Sequence, residues 1–232
     1  MRVATFNVNF GVADRISNLE AVEAIDADVV LLQETTAESE DRFRDSLGER
    51  YPHIVFRDCC RAGGLGILSK HPIATDDYLE SETGWFPAWL VTIDGPLGRV
   101  QLLDVHLRPP VSDSGSWVKG YFTTRDDRRE EIESFWRAVD PSVPVIVAGD
   151  FNEGADGRAV SFLGDKGMRS ALAEVEPRAN TWHWPLRVGE LTSMLDHIVY
   201  DGRLALLHAE VREVGASDHY TVFADFTLAS TD

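Results

Sequence analysis

Short apolar runs with strand character recur from one end of this chain to the other, each set off from the next by a turn or a helical signal. Val29 to Gln33 (VVLLQ) is apolar without alternation, which predicts a strand buried on both faces. The run Val145 to Ala148, after Pro144, reads the same way. Val3 to Phe10, Ile67 to Ser69, Ile198 to Tyr200 and Tyr220 to Leu228 add further strands. Trp89 to Asp94 and Arg99 to His106 flank the turn Gly95-Pro96-Leu97-Gly98 and predict a hairpin. Two helices are expected between them. One covers LEAVEAI, capped by Ser17 or Asn18 and ended by Asp26 to Asp28; the other runs from Arg125 to Val139, with Ile132, Phe135, Trp136 and Val139 on one face. No repeat, low-complexity segment or linker interrupts the pattern, so residues 1–232 are expected to form one domain.

Composition narrows the functional classes. A hydrophobic fraction of 44% with 26% charged residues describes a soluble globule with ample material for a core. Nothing resembles a membrane span, and a strand beginning at Arg2 leaves no room for a signal peptide; a cytoplasmic protein with no membrane partner is expected. Trp85-Phe86-Pro87-Ala88-Trp89 is the one stretch that could be weighed for membrane docking, and it reads as the start of a core strand. Cys59 and Cys60 are adjacent and lack the neighbours of a metal ligand set, so a thiol pair is expected rather than a structural bridge. The formal net charge of −17 opposes unaided affinity for long duplex DNA, which is driven by neutralising phosphates. A local basic patch around Arg108, Lys119, Arg125, Arg128 and Arg129 is the candidate exception. No protein partner is evident.

Two runs carry most of the chemistry: VIVAGDFNEG (145–154) and ASDHYTVFADF (216–226). Asp150 and Asn152 alternate around Phe151 and so share one side of the chain, with the ring on the other. Asp218 and His219 stand just before an apolar strand. Asn7, Glu34, His106 and Asp196 also lie in or beside strand ends. Each alone has an ordinary reading, such as a solvated carboxylate for Glu34, a hydrogen-bonded core imidazole for His106 or a turn carboxylate for Asp196. Their joint occurrence at strand ends is what a metal-plus-water site for hydrolytic phosphoryl transfer requires. The irregular stretch from Arg108 to Thr124 follows His106 directly and carries Trp117, Lys119, Tyr121 and Phe122. It reads either as a surface loop or as a lid over the site.

The runs TFNVNF, DVVLLQET, GLGILSK, DVHL, VAGDFNEG, LDHIVY and SDHYTVFADF, in this order, resemble the endonuclease/exonuclease/phosphatase superfamily over almost the whole chain; GDFN and SDH are the specific ones. The resemblance implies an α/β fold, a four-layer sandwich of two packed β-sheets flanked by helices. It implies that Glu34 is the principal ligand of a divalent metal, Mg²⁺ or Mn²⁺ with Ca²⁺ as an alternative, with Asn7 close by and Asp218 contributing nearby or through water. Asp150 then orients or deprotonates the attacking water, and Asn152 holds the nucleophile or a phosphoryl oxygen. His219, paired with Asp196, stabilises developing charge or moves a proton, and His106 donates to a nonbridging oxygen. Whether Asp150 or His219 is the base is left open.

Departures from the pattern point to the substrate. The apurinic endonuclease branch usually has a tyrosine where His106 stands. A histidine in DVHL looks more like the pancreatic-type deoxyribonuclease, sphingomyelinase and general phosphodiesterase branches. The Trp-Cys-Asp-Arg run of inositol polyphosphate phosphatases is replaced by Met194-Leu195-Asp196-His197, and the Arg that many members carry two residues before this Asp is missing, Ser193 and Met194 supplying none. A small phosphodiester or phosphomonoester is the expected substrate, the diester favoured. A DNA-processing nuclease is the alternative, and a noncatalytic binding module a third reading. Arg108, Trp117, Lys119, Trp182 and His183 are the candidate substrate contacts, the last two with an aromatic plug between strands as the competing reading.

Overall fold

The computed structural model describes residues 1–12, 15–82, 85–110, 120 and 123–230. In it the apolar runs assemble into two six-stranded sheets. The first contains β1 (Arg2–Asn7), β2 (Val29–Gln33), β3 (His53–Arg57), β4 (Leu65–Ser69), β13 (Leu204–Arg212) and β14 (Thr221–Leu228), in the order β13-β14-β1-β2-β4-β3. The second contains β5 (Ile73–Leu79), β6 (Ala88–Gly95), β7 (Gly98–His106), β8 (Val145–Asp150), β9 (Arg169–Ser170) and β12 (Asp196–Tyr200), in the order β5-β6-β7-β8-β12-β9. A separate hairpin joins β10 (Trp182–Pro185) to β11 (Glu190–Ser193). The helices are α1 (Arg15–Ile25), α2 (Ala37–Leu47), α3 (Arg125–Trp136), α4 (Arg158–Asp165) and the short α5 (Ala171–Val175).

Apolar strands without alternation explain the layering. On β2, Val29 and Leu31 enter the core between the sheets, whereas Val30 and Leu32 pack outward against Val22 of α1 and Phe43 of α2. On β8, Ile146 and Ala148 face inward, while Val145 and Val147 meet Ile132 and Phe135 of α3 and Leu163 of α4. Each such Val, Leu, Ile or Phe side chain contributes about 1.5–3 kcal/mol on burial, and a one-residue slip would reverse every one of these contacts. The result is the four-layer helix–sheet–sheet–helix sandwich.

The topology gathers one set of strand ends. β1 and β2 are parallel, as are β7 and β8, so Asn7, Gln33, His106 and Asp150 finish at the same edge. β12 runs antiparallel to β8 and begins there, with Asp196 opposite Asp150. β14 runs antiparallel to β1, which brings the residues just before it to the same edge. Gly149 (φ 147°) is required by the close approach of β8 to β7, since a β-carbon would lie on the carbonyl of Val105.

Beneath that edge lies a buried polar layer between the sheets. Gln33 Nε2 donates to Asp104 Oδ1 at 2.7 Å and to Thr5 Oγ1 at 3.0 Å, while Asp104 Oδ2 has no partner among the described residues. Burial pushes the Asp104 carboxyl well above its ordinary range. The native state therefore holds this proton more tightly than the unfolded chain, and loses stability as pH rises from the unfolded pKa of about 4 toward the folded value. Asp104→Asn keeps an acceptor for Gln33 and escapes this loss. Its melting temperature should exceed that of wild type by a margin that grows between pH 4.5 and pH 8. A lower melting temperature at pH 8 would show that an ionised Asp104 is needed.

Several expectations are corrected. Helix α2, which buries only Ser39, Phe43 and Leu47 in an otherwise charged sequence, and the partly exposed β13 escape a hydrophobic reading. The start of α2 is set by Thr36 and Ser39, which cap each other's backbone N–H groups, a serine serving where the commoner signal is Glu or Gln. β1 ends at Asn7 rather than Phe10, because Asn9 turns left-handed (φ 52°). Cys59 and Cys60 are bonded to each other, not free thiols. The left-handed backbone at Cys60 and Arg61 (φ 39° and 68°) forms the turn that brings the sulfurs together, and sequence does not reveal it. The basic patch does not form among the described residues: Arg128 is buried against Glu153, Arg108 pairs with Asp127, and Arg129 pairs with Glu133. Lys119, like Trp117, lies outside the described residues. Trp89 is buried in the core, and no helix of the described residues is long and apolar enough to cross a membrane.

Candidate active site

Asp150 stands at the centre of the gathered strand ends. Its Oδ2 accepts from Asn7 Nδ2 at 3.1 Å and lies 3.6 Å from Nε2 of both His106 and His219. Its Oδ1 accepts the backbone N–H of Asn152 at 2.8 Å, in a turn that Asn152 closes with φ 52°, a conformation Asn tolerates better than most residues. The Asn152 side chain is anchored on Leu107 O. Phe151 points away to the helical side, where its ring meets His197 edge-on, as the alternation in the sequence predicts. Burial drives the Asp150 pKa up to about 6, against the opposing pull of His219 and His106.

His219 is held on the other side of this carboxylate. Its Nδ1 bonds Asp196 Oδ2 at 2.9 Å, and Asp196, with no exposed surface, also accepts from Thr181 Oγ1 at 2.6 Å. Burial alone would lower the His219 pKa. The charges of Asp196 and Asp150, with the hydrogen bond to Asp196, overcome it and raise the value to about 10. His219 is thus an imidazolium at neutral pH. Asp150, Asp196 and His219 bring ligand atoms within 4.8 Å of one another. An imidazolium whose Nδ1 is committed to Asp196 offers no lone pair, so the trio is better suited to proton and charge management than to metal binding.

His106 is different. Its Nδ1 lies 3.0 Å from Ala62 O, which can only accept, so that nitrogen carries the proton. Burial lowers its pKa. The neutral ring therefore turns a lone pair on Nε2 toward Asp150 and Glu34, and donating to a phosphoryl oxygen requires a second proton. Phe86 stacks on the ring at 4.4 Å between centroids and fixes its plane.

The side of the site where the sequence leads one to expect a metal centres on Glu34, whose left-handed backbone (φ 57°) turns the carboxylate back over the sheet edge. Its Oε1 accepts from Asn7 Nδ2 and its Oε2 from the Phe10 N–H, and burial raises its pKa. Asp218 accepts from Asn9 Nδ2 at 2.7 Å and from Trp182 Nε1 at 2.9 Å. Asn7, expected beside the metal, turns its amide nitrogen to Glu34 and Asp150, since its oxygen takes the Asn9 N–H. In this orientation it bridges carboxylates rather than ligating. Desolvated carboxylates supplied only with neutral donors fit a hard divalent cation such as Mg²⁺ or Mn²⁺.

These groups line a cavity of about 100 Å³, with Phe86 and Trp182 as aromatic walls. Arg108 and His183 are not brought to it. The Arg108 guanidinium sits over Trp85 and pairs with Asp127, and His183 faces the opposite side of the β10–β11 hairpin, stacked on Tyr220 beside Glu190. Four supporting residues escape sequence reading. Asn9 and Thr181 look like ordinary loop residues until the fold places them on Asp218 and Asp196. Ser217 bonds Asn7 O at 2.7 Å and ties the SDH turn to β1. Glu153 accepts from the first N–H groups of α4, at Ala159 and Val160, and from Arg128, bracing the loop that carries Asn152. An acid directly after GDFN was the available signal.

Over residues 4–219 the sequence matches the Endonuclease/Exonuclease/phosphatase family. The chain belongs to this family. No curated protein sequence matches it. Among solved structures, an endonuclease/exonuclease/phosphatase from Beutenbergia cavernae DSM 12333 is similar with a TM-score of 0.79 and 22% identity, over 98% of this chain and 71% of that one. TDP2 from D. rerio, complexed with single strand DNA product, gives a TM-score of 0.77 at 17% identity, covering 98% of both chains. An AP endonuclease from Archaeoglobus fulgidus gives 0.75 at 18%, covering 97% of this chain and 99% of that one. At these identities the likeness is one of fold, and the family's phosphohydrolase and nuclease chemistry is what the endonuclease/exonuclease/phosphatase sandwich carries.

Proposed function

We propose that the protein is a divalent-metal-dependent phosphoesterase that cleaves a P–O bond by in-line attack of water, with a phosphodiester as its preferred substrate. The observation that carries this reading is the position of Asp150, a buried carboxylate of raised pKa between a lone-pair imidazole and an imidazolium. It is joined through Asn7 to Glu34. Asp150 orients the attacking water and takes its proton. His219, held by Asp196, presents positive charge to the phosphoryl oxygens. Its proton serves the leaving group, which gives Asp150 the role of base. Asn152 holds the nucleophile against the phosphorus. Glu34 and Asp218 would hold Mg²⁺ or Mn²⁺, which would neutralise phosphoryl charge and lower the pKa of water there. Positioning and charge neutralisation are what phosphoryl transfer chiefly needs.

Trp182 ties substrate wall and metal side together. Trp182→Phe keeps an aromatic wall, though a smaller one, and removes the N–H that Asp218 accepts. It is expected to weaken Mn²⁺ binding by roughly 10- to 100-fold, the usual worth of a partner behind a ligand. KM measured at saturating metal should change little. Unchanged Mn²⁺ affinity by calorimetry would remove Asp218 from the metal side.

A compact substrate suits a chain of net charge −17 in which Arg108 and Arg128 are committed to carboxylates. A nuclease reading is favoured by one feature. Trp182 stacks on Trp184 at 6.4 Å, and Trp184 is half-exposed, so an aromatic surface leads out of the cavity; the solved relatives include proteins described with DNA or as an AP endonuclease. The two readings separate on bis-aryl phosphate, aryl phosphate, single-stranded DNA and abasic duplex with Mg²⁺, Mn²⁺ or Ca²⁺. Efficient turnover of the small diester, insensitive to salt, is expected. Tight duplex binding that weakens by roughly 10³-fold or more between 50 and 200 mM salt, with slow small-diester hydrolysis, would establish the nuclease instead.

A further inference from the structure

We propose that the Cys59–Cys60 disulfide is a thiol–disulfide exchange site through which an external dithiol controls how His106 is presented to the active-site cavity. The bond joins adjacent residues in the loop between β3 and β4. It borders a second cleft of about 390 Å³, whose wall includes Phe10, Asp58 and Arg61. Cys60 is exposed and Cys59 half-buried, so a thiolate arriving from solvent meets the Cys60 sulfur first.

Two independent contacts lead from this bond to His106. The next residue but one after Cys60, Ala62, supplies the carbonyl that accepts from His106 Nδ1 at 3.0 Å. Gly63 is clasped between the disulfide and an aromatic ring: a β-carbon there would lie 2.6 Å from Cys60 Sγ and 2.9 Å from Phe86 Cδ1. Phe86 is the ring stacked on His106. One segment thus holds both the hydrogen bond and the stacking partner of the imidazole. Its shape depends on Cys60 and Arg61 staying left-handed, a conformation that residues with a β-carbon keep only when their surroundings hold them there. The disulfide and the bond from Gly63 N–H to Cys59 O at 3.1 Å are the local constraints.

The exchange is an ordinary two-step reduction. A thiolate of the dithiol attacks Cys60 Sγ, the Cys59–Cys60 bond breaks, and Cys59 leaves as a thiolate that takes up a proton. The second thiol of the reductant then attacks its own sulfur in the mixed disulfide and releases Cys60. The protein gains two electrons and two protons, and the dithiol becomes a cyclic disulfide. Relaxation of the turn withdraws Ala62 O and loosens Gly63 against Phe86, so His106 loses its fixed tautomer and plane.

The effect on turnover rests on the phosphoesterase reading, whereas the exchange site does not. Alkylation of the intact protein, followed by mass measurement, should add two adducts only after dithiothreitol. The His106 ring resonances in long-range ¹H–¹⁵N spectra should move on reduction, and to the same positions in Cys59→Ser/Cys60→Ser. With Mg²⁺, a hard cation indifferent to thiols, reduction should lower kcat for bis-aryl phosphate at least about tenfold, a part of the roughly 10²- to 10⁴-fold that a fully positioned acid–base group is worth. KM should hold, and the double variant should not respond to dithiothreitol. If that variant does not fold, reduced wild type decides alone. Two thiols alkylated without reduction, or His106 resonances that stay in place, would overturn the proposal. Resonances that move while neither redox state hydrolyses the diester would leave the exchange site standing and sink the phosphoesterase reading.

Discussion

Glu34→Gln should reduce hydrolysis of the best phosphodiester by more than about 100-fold, beyond the upper end of what losing an outer partner of a metal ligand costs. The substitution is isosteric and keeps an acceptor for Asn7; its NH2 then faces the exposed Phe10 N–H, which water can satisfy, so the fold should be unaffected. Burial already disfavours the Glu34 charge, which is supported by neutral N–H donors, and removing it relieves that cost. The variant should therefore melt no lower than wild type in the absence of metal. Direct titration with Mn²⁺ should show weakened binding, and this readout does not depend on finding the right substrate. Chelator should silence the wild type reversibly. Wild-type turnover that survives exhaustive metal removal would refute the metal reading at once.

Asp196→Asn and His219→Ala should each lower kcat by roughly 10²- to 10⁴-fold, the usual worth of a positioned acid–base or electrostatic group. Asp196 has no exposed surface and spends its hydrogen bonds on His219 and Thr181, so its main route to the chemistry is the imidazole, while its charge also helps to raise the Asp150 pKa. The double variant should accordingly be little worse than the poorer single one. The pH profile gives an independent check. Activity should rise as Asp150 loses its proton near pH 6, and fall as His219 loses its proton near pH 10. In Asp196→Asn the largest charge holding the His219 proton is gone, so the alkaline limb should move to lower pH. Additive losses in the cycle, or an alkaline limb that stays where it is, would show that the two residues work separately.

The legible parts of the fold were those in which a strand is apolar on both faces or a helix has a long apolar stripe. Val29 to Gln33, Val145 to Ala148 and the hairpin around Gly95 to Gly98 lie where pattern predicts them, and Arg125 begins a helix as expected. That helix stops at Trp136. Elements held by polar caps or half-exposed pairing did not announce themselves. Helix α2 depends on the reciprocal caps of Thr36 and Ser39, and the β10–β11 hairpin leaves Trp184 and Leu191 half in solvent. Hydrophobic periodicity is silent on such cases, because burial is not what defines them.

By itself, the order of residues along the chain determined which groups stand at strand ends, and therefore that Asn7, Glu34, His106, Asp150, Asn152, Asp196, Asp218 and His219 could meet. Strand periodicity and residue chemistry are local properties, and a single chain states them. Which nitrogen of His106 carries the proton, that His219 is charged, that Asn7 offers nitrogen rather than oxygen, and that Arg108 and His183 turn away were decided only by the tertiary structure. Each depends on a partner distant in sequence (Ala62, Asp196, Asp150, Asp127, Tyr220), for Asn7 together with the nearby Asn9 N–H, and on the burial that gives the contact its strength. Desolvation and Coulomb energy are functions of position in the folded molecule, and no local run of residues encodes them.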